Sequence, residues 1–347
     1  MYKHIIRPIL FTLQPETIHG IVVSLLKIGF KVPFLKSILR SFYAVDSPKL
    51  QRNVFGFEFK NPVGFAAGFD KNAEFFNELE CFGFSFVEIG TVTPKPQPGN
   101  QKPRSFRLKK DSALINRMGF NNKGVIRVKS NLEKKKKKLV IGGNIGKNTI
   151  TPNNIAVEDY VQCFTELYHF VDYFVVNISC PNIANLKELQ EKENQRKILL
   201  ALVKLRKKQN QYKPILLKVS PDLSELQLSD SIEIAQEVGI DGFVATNTTI
   251  SREGLMSQPD EVEKIGNGGL SGKPLSQKST EVIRFISKQT GGKMPIIGVG
   301  GIMDAKDAIE KIDAGASLIQ VYTGFIYEGP GIVKKICKEL LKNGNMP

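Results

Sequence analysis

Eight short apolar runs, separated by longer stretches of helical pattern, constrain this sequence more than anything else in it. They are Asn61–Ala66, Phe84–Ile89, Leu139–Gly143, Tyr173–Ile178, Ile215–Val219, Gly242–Thr246, Ile296–Gly298 and Leu318–Val321. Each is short and apolar almost throughout, the pattern of parallel strands covered on both faces. Leu223–Val238 and Asp304–Ala314 are examples of the helical stretches between them. Eight such units in 347 residues predict an α/β chain folded as a (β/α)8 barrel of the TIM type rather than a doubly wound sheet. No G-x-G-x-x-G follows a strand, which argues further against the doubly wound alternative.

Polar residues and glycines cluster just past these runs. They include Ala67-Gly68-Phe69-Asp70-Lys71, Gly90-Thr91, Asn144, Asn177, Lys218, Thr246-Asn247, Gly300-Gly301 and Tyr322-Thr323. In a barrel the C-terminal strand ends face one mouth, where active sites sit. Any one such residue is ordinary, but a set at every strand end predicts a site. Three segments there suit a phosphate-bearing cofactor: the glycine-rich loop Gly268–Gly272, Gly298–Ile302 before a helix with Asp304 near its start, and Tyr322-Thr323-Gly324. Backbone N–H groups of glycine turns and helix N-termini bind phosphate, and the loops after the seventh and eighth strands are its usual place in this barrel.

Three further features suggest the chemistry. Lys218 ends the fifth strand, where a cation either pairs with a barrel carboxylate or stabilises negative charge on a reduced cofactor ring. Cys180, in Asn177-Ile178-Ser179-Cys180-Pro181-Asn182, sets a thiol between two amides just past a strand. A buried cysteine is usually inert, but one so placed can act as a base, with an unperturbed pKa near ~8.5. Asn116, Asn177, Asn182 and Asn247 offer donors and acceptors for a planar amide-containing ring, and Lys71 offers a cation for a carboxylate.

Composition excludes other classes. The four cysteines form no C-x-x-C and the three histidines no H-x-x-x-H, so neither a disulfide framework nor a metal centre is expected. The net charge of +15 suits an acidic ligand, an anionic membrane or nucleic acid. No basic–aromatic interleaving or nucleic-acid motif is present, so nucleic acid is not expected as a partner. The five lysines that close Glu133–Lys138 read as a solvated helix end.

Residues 1–45 stand apart from the barrel segment, 46–347. Two amphipathic helices are predicted, about Pro15–Ile28 and Phe34–Phe42, the second with Phe34, Leu35, Ile38, Leu39 and Phe42 on one face. Neither is long enough to span a bilayer, and the start lacks the uninterrupted apolar core of a signal peptide. Lys27, Lys31, Lys36 and Arg40 flank the apolar faces, which fits either a helix lying in a membrane interface or a cap packed on the barrel.

Seven motifs in order, spread over nearly the whole chain, closely resemble the dihydroorotate dehydrogenase family, in its membrane-associated, quinone-dependent class (class 2). They are Ala66–Lys71, Asn116–Asn121, Asn177–Asn182, Thr246–Thr249, Gly269–Gly272, Gly298–Ile302 and Tyr322–Gly324. The resemblance implies oxidation of (S)-dihydroorotate to orotate in de novo pyrimidine synthesis. The base, Cys180, takes the C5 proton while a hydride leaves C6 for the flavin. One FMN would be held by Ala66, Ala67, Gly68, Phe69, Asp70, Thr91, Asn144, Asn177, Lys218, Thr246, Gly272, Gly301, Tyr322 and Thr323. Substrate would be held by Lys71, Asn116, Arg117, Met118, Gly119, Phe120, Asn177, Asn182, Asn247 and Thr248. The N-terminal helices would form a tunnel for a membrane quinone, which His19, Arg104 and Tyr322 contact. The implied setting is peripheral, on the cytoplasmic face of a bacterial cell membrane with an anionic surface, as a monomer or weak homo-oligomer.

One position departs from that class, which usually carries serine as the base where this chain has Cys180. Cysteine is typical of the soluble class, which uses fumarate or, with a partner subunit, NAD. That class is one alternative; a barrel reducing uracil rings is another, although uracil has no carboxylate for Lys71. A non-catalytic, phosphate-binding barrel that docks on membranes is a third.

Overall fold

The computed structural model describes residues 2–134, 139–182 and 186–343, so most of the lysine run (Lys135–Lys138) lies outside the described residues. Eight strands close a barrel: β1 Val63–Phe65, β2 Phe86–Val92, β3 Val140–Ile145, β4 Tyr173–Asn177, β5 Ile215–Val219, β6 Gly242–Ala245, β7 Ile296–Val299 and β8 Leu318–Val321. Every strand pairs in parallel with its sequence neighbours, and β8 closes on β1 through Ile319↔Val63, Gln320↔Gly64 and Val321↔Phe65. The eight expected runs are these eight strands, with ends that coincide or differ by at most three residues. They are apolar because both faces are covered: Phe86, Val175, Leu216, Val244 and Ile297 fill the barrel, and the surrounding helices cover its outside.

The two ends of the barrel differ. A hairpin, Arg52–Val54 with Phe57–Phe59, plugs the N-terminal end, where Phe59 packs edge-on against Phe86 at 5.2 Å. The C-terminal mouth is roofed on one side by a three-stranded antiparallel sheet of Ser105–Leu108, Ala113–Asn116 and Gly269–Gly272. The segment expected to be a glycine-rich phosphate loop is therefore mostly a strand. Its glycine at 269 is demanded by a neighbour, because a Cβ there would lie 2.0 Å from Thr248 Oγ1.

The N-terminal helices, Pro15–Gly29 and Leu35–Tyr43, cap the other side of the mouth. Of the four cations expected to flank the apolar faces, Lys31 is exposed and the other three are turned onto the barrel. Lys27 pairs with Glu74 at 2.5 Å, Lys36 with Glu78 at 3.3 Å and Arg40 with Glu80 at 3.3 Å, while Lys3 reaches Glu328 at 2.6 Å. All four acids belong to the barrel segment, so these pairs staple the cap down. The apolar residues divide: Leu35 and Leu39 face inward, whereas Phe34 is 80 % exposed and Phe42 64 %. Ile9, Ile21, Leu25, Ile28 and Ile38 are exposed as well. Among the described residues no single helix is long and apolar enough to cross a membrane; Tyr2–Leu10 and Pro15–Gly29 reach that length and composition only together, bent by 114°.

Candidate active site at the barrel mouth

Two cavities meet beneath the cap. The first, about 220 Å³, occupies the mouth and is lined by residues at the C-terminal ends of every strand but β3. The second, about 470 Å³, is apolar and runs between the cap and the barrel, along Val22, Leu26, Phe30, Leu35, Leu39, Phe82 and Phe325. Pro15, His19, Leu114 and Ile326 line both.

At the floor of the mouth the strand ends build one polar network. Asn177 donates its amide to Thr91 Oγ1 at 3.0 Å and to Asn144 Oδ1 at 3.2 Å. Asn144 in turn donates to Glu88 Oε1 at 2.7 Å. Glu88, fully buried on β2, also accepts from Lys218 Nζ at 3.2 Å and from Gln320 Nε2 at 2.8 Å. The open question about Lys218 thus has a double answer: it pairs with a barrel carboxylate and still lines the mouth.

On one wall Asn247 donates to Asn177 Oδ1 at 3.3 Å and to Ser179 Oγ at 3.1 Å. Asn182 donates to Asn116 Oδ1 at 3.4 Å, joining the segment after β4 to the roof sheet. Cys180 faces the cavity between them; burial pushes its thiol up to about 11, above the value expected from sequence alone. The thiol is protonated at neutral pH in the ligand-free chain, so its basicity has to be drawn out by what binds there. Thr248 Oγ1 is buried in the cavity wall with no partner.

On the cap side Lys71 Nζ donates to Gly68 O at 2.5 Å. Burial brings its pKa down to about 8; nearby Glu16 opposes that and Arg104 adds to it. His19 sits edge-on to Phe69 at 4.7 Å, and burial, helped by Lys71, lowers it to about 4, so its ring is neutral. Tyr322 is raised by burial to about 12 and remains a phenol.

The opposite wall fits a phosphate. Gly300, Gly301 and Leu275 line the cavity where the Ser276–Gln289 helix begins. A Cβ on Gly301 would lie 2.4 Å from Ser276 N and 2.2 Å from Ser276 Cα, so only glycine leaves this cradle open. The helix that starts at Ala305 is not the anion site its position suggested. Its N-terminus is already filled by a capping box, in which Asp304 accepts from Asp307 N and Asp307 from Asp304 N. The helix N-termini that open on the mouth are those of Ser276–Gln289 and Thr323–Glu328.

The structure gathers around the first cavity Ala66, Ala67, Gly68, Lys71, Thr91, Asn116, Met118, Gly119, Phe120, Asn177, Cys180, Asn182, Lys218, Thr246, Asn247, Thr248, Gly272, Gly301, Tyr322, Thr323 and His19. Five of the expected residues are not on its wall. Asn144 lies one layer behind, in the network. Phe69 lines the apolar cavity instead. Asp70 accepts from the backbone N–H groups of Glu74 and Phe75 at 2.7 and 2.8 Å and so shapes the Lys71 loop. Arg117 holds the roof by donating to Ile265 O and Asn267 O at 2.6 and 2.9 Å. Arg104, 6 % exposed, is turned away: its guanidinium clamps Glu16 at 2.7 and 3.1 Å and donates to Pro98 O and Asn100 O. The group it presents to the cavity is the Glu16 carboxylate, which burial would raise but Arg104 and Lys102 hold below its ordinary value.

Sequence reasoning missed Glu16, Gln320 and Glu88 as parts of this site. The last two carried a signal, since a charged or amide residue inside an otherwise apolar, doubly covered strand must find partners in the barrel interior.

A closed eight-stranded barrel with amides around its mouth and a glycine-walled phosphate cradle after β7 defines an enzyme of the class that holds a phosphate-bearing cofactor at the strand ends. The family model described as dihydroorotate dehydrogenase matches residues 49–343, and the chain belongs to that family. Flavin dependence is general in it. A protein of Christiangramia forsetii called dihydroorotate dehydrogenase (quinone) is 57 % identical over 344 residues, 99 % of this chain and all of the relative. One of the same description from Thermosynechococcus vestitus is 46 % identical, with 98 % of this chain and 96 % of the relative covered. Among solved structures, the Eimeria tenella enzyme in complex with ferulenol superposes with a TM-score of 0.86 at 38 % identity, covering 97 % and 95 % of the two chains.

Proposed function

We propose that this chain oxidises (S)-dihydroorotate to orotate in pyrimidine biosynthesis, holding FMN at the barrel mouth and using a membrane quinone as final electron acceptor. The observation that carries the reading is the pair of cavities, one polar and one apolar, that share Pro15, His19, Leu114 and Ile326. A polar substrate and a lipid-soluble one can each reach the same centre by its own route. FMN, when bound, supplies a two-electron acceptor there.

The residues fit that cofactor. Its phosphate suits the Gly300–Gly301 cradle and the N-terminus of the Ser276–Gln289 helix. Lys218 supplies a cation, and Asn177, Thr91 and Thr246 supply amide and hydroxyl groups for its ring.

Lys71 neutralises the substrate carboxylate, and Asn116, Asn177, Asn182 and Asn247 orient the planar ring through paired donors and acceptors. Cys180 removes the C5 proton, its thiolate favoured by the backbone N–H of Asn182 and the Lys218 cation. On the other side neutral His19 and the Tyr322 phenol offer hydrogen bonds to a quinone carbonyl, and Arg104 acts there by holding Glu16.

Residues 1–45 form the quinone cap and 46–347 the catalytic barrel. The outward apolar side chains of the cap, Ile21, Leu25, Ile28, Phe34, Ile38 and Phe42, enter the membrane surface, giving a peripheral protein at the cytoplasmic face.

An anaerobic test decides the function. Dihydroorotate is added to the purified protein and flavin absorbance followed; then a short-chain quinone, fumarate or NAD is added separately. Bleaching with rapid reoxidation by quinone alone is expected. Preference for fumarate would move the chain to the soluble class, and no bleaching of bound flavin would overturn the substrate.

A further inference from the structure

We propose that Glu88 is a positioning residue whose buried carboxylate, acting through Lys218, sets how readily the flavin at the mouth is reduced. The inference rests on the flavin reading above. Glu88 is fully buried within β2 and is not on the cavity wall, so it touches neither substrate nor cofactor. It faces two groups that do line the wall, Lys218 at 3.2 Å and Gln320 at 2.8 Å, and a third, Asn144, that orients Asn177.

A full negative charge inside a barrel is costly unless it is paired. A merely structural need for polar contacts here could be met by an amide. What the carboxylate adds is charge. Lys218 by itself would present an uncompensated cation to the ring, and a cation favours the electron-rich reduced form. Glu88 balances it, so the ring faces a nearly neutral pair and a potential lower than the lysine alone would set. At short range and low dielectric that balance is worth far more than the same pair would be in water.

The network also shows how the charge can be removed without dismantling the contacts. Glu88→Gln keeps the length and leaves an oxygen for Lys218 and Asn144. Its new amide N–H would meet Gln320, whose Oε1 has no partner now. A half-turn of the Gln320 amide presents that oxygen and restores the third hydrogen bond.

The test is an anaerobic redox titration of the full-length, flavin-bearing protein, read by flavin absorbance against a reference dye. Glu88→Gln is expected to raise the reduced-to-oxidised ratio at a fixed poise at least about tenfold, a shift of about 30 mV for a two-electron couple. Gln320→Leu, which removes a hydrogen bond and leaves both charges, is expected to shift the ratio less than about threefold. An unshifted Glu88→Gln protein, or equal shifts in the two variants, would overturn the proposal. Should Glu88→Gln not retain flavin, Glu88→Asp is read in its place, since it withdraws the charge from Lys218 by one methylene. An upward shift there supports the proposal, and none or a downward one overturns it. A wild-type chain that binds no flavin would sink the cofactor reading and this inference with it. A flavin-bearing wild type with an unshifted variant sinks this inference alone.

Discussion

Glu16→Ala tests how the cap is held over the mouth. The Glu16 carboxylate accepts from Nη2 and Nε of the Arg104 guanidinium, at 2.7 and 3.1 Å, and Arg104 is 6 % exposed. Removing one partner of a fully buried ion pair costs about 3–5 kcal/mol, because the other charge is left uncompensated. Two features reduce that here. The Glu16 side chain is 25 % exposed, and Arg104 keeps the carbonyls of Pro98 and Asn100. About 2 kcal/mol remains, roughly a thirtyfold change in an equilibrium constant. Glu16 stands in the first turn of the Pro15–Gly29 helix, so the loss falls on the docking of the cap and not on the barrel. Stopped-flow measurement of the two half-reactions separates these effects. Reoxidation of reduced flavin by quinone should lose about thirtyfold in apparent second-order rate, while reduction by dihydroorotate near pH 7 stays within about threefold. Glu16 also supports the Lys71 charge, so the variant's dihydroorotate half-reaction should stop rising and level off at lower pH than the wild type's. Equal losses in both half-reactions, or an intact quinone half-reaction, would refute the argument.

Gly301→Ala would push a methyl into the backbone of Ser276 and close the phosphate cradle; the purified variant should carry little or no flavin, checked by its absorbance at a given protein concentration. The pH dependence of kcat/KM for dihydroorotate follows from two groups moved in opposite directions. In the proposed mechanism Cys180, raised to about 11, loses a proton, while Lys71, lowered to about 8, keeps one. The required product therefore rises with pH below about 8, is level between about 8 and 11, and falls beyond. Cys180→Ser, whose hydroxyl is a far weaker acid, should lower kcat and move the upper limit beyond reach; an unchanged profile would remove Cys180 from the role of base. His19, held neutral by burial at about 4 against an ordinary value near 6.5, disfavours the folded cap only under acid. That contribution to stability is present above about 6.5 and is lost as pH falls towards about 4, and hydrogen exchange across Pro15–Gly29 would show it.

The barrel was legible because its strands are covered on both faces and so read as apolar runs that little else in the chain imitates. The mouth was legible for the same reason in reverse, since a polar residue or glycine at the end of one such run is ordinary but a set of them at the ends of all eight is not. What the sequence hid is pairing. Nothing in Phe86–Val92 says that Glu88 will meet Lys218, 130 positions away. Lys27, Lys36 and Arg40 look like a rim for lipid until Glu74, Glu78 and Glu80 come beneath them. Gly268–Gly272 looked like a loop because glycine marks close approach without saying what approaches, and here it is the roof strand and Thr248. Arg104 was placed by resemblance alone, and nothing in its own segment announces its partner Glu16, 88 positions upstream.

Three of the staples end on one stretch of seven residues, Glu74 to Glu80, and that stretch hangs from the Asp70 carboxylate immediately before Lys71. The floor under the cap and the arm that carries Lys71 are thus a single piece of chain. Lifting the cap takes a cation from each of Glu74, Glu78 and Glu80, with Lys123 still on Glu74 and Lys60 still on Glu80, and the piece should loosen. The two ends of the enzyme are then thermodynamically linked although no cap cation reaches the mouth. By reciprocity, whatever factor a seated cap adds to the affinity for dihydroorotate, bound dihydroorotate must return to the seating of the cap. A substrate-loaded enzyme would accordingly close the apolar cavity under the cap more firmly than an empty one.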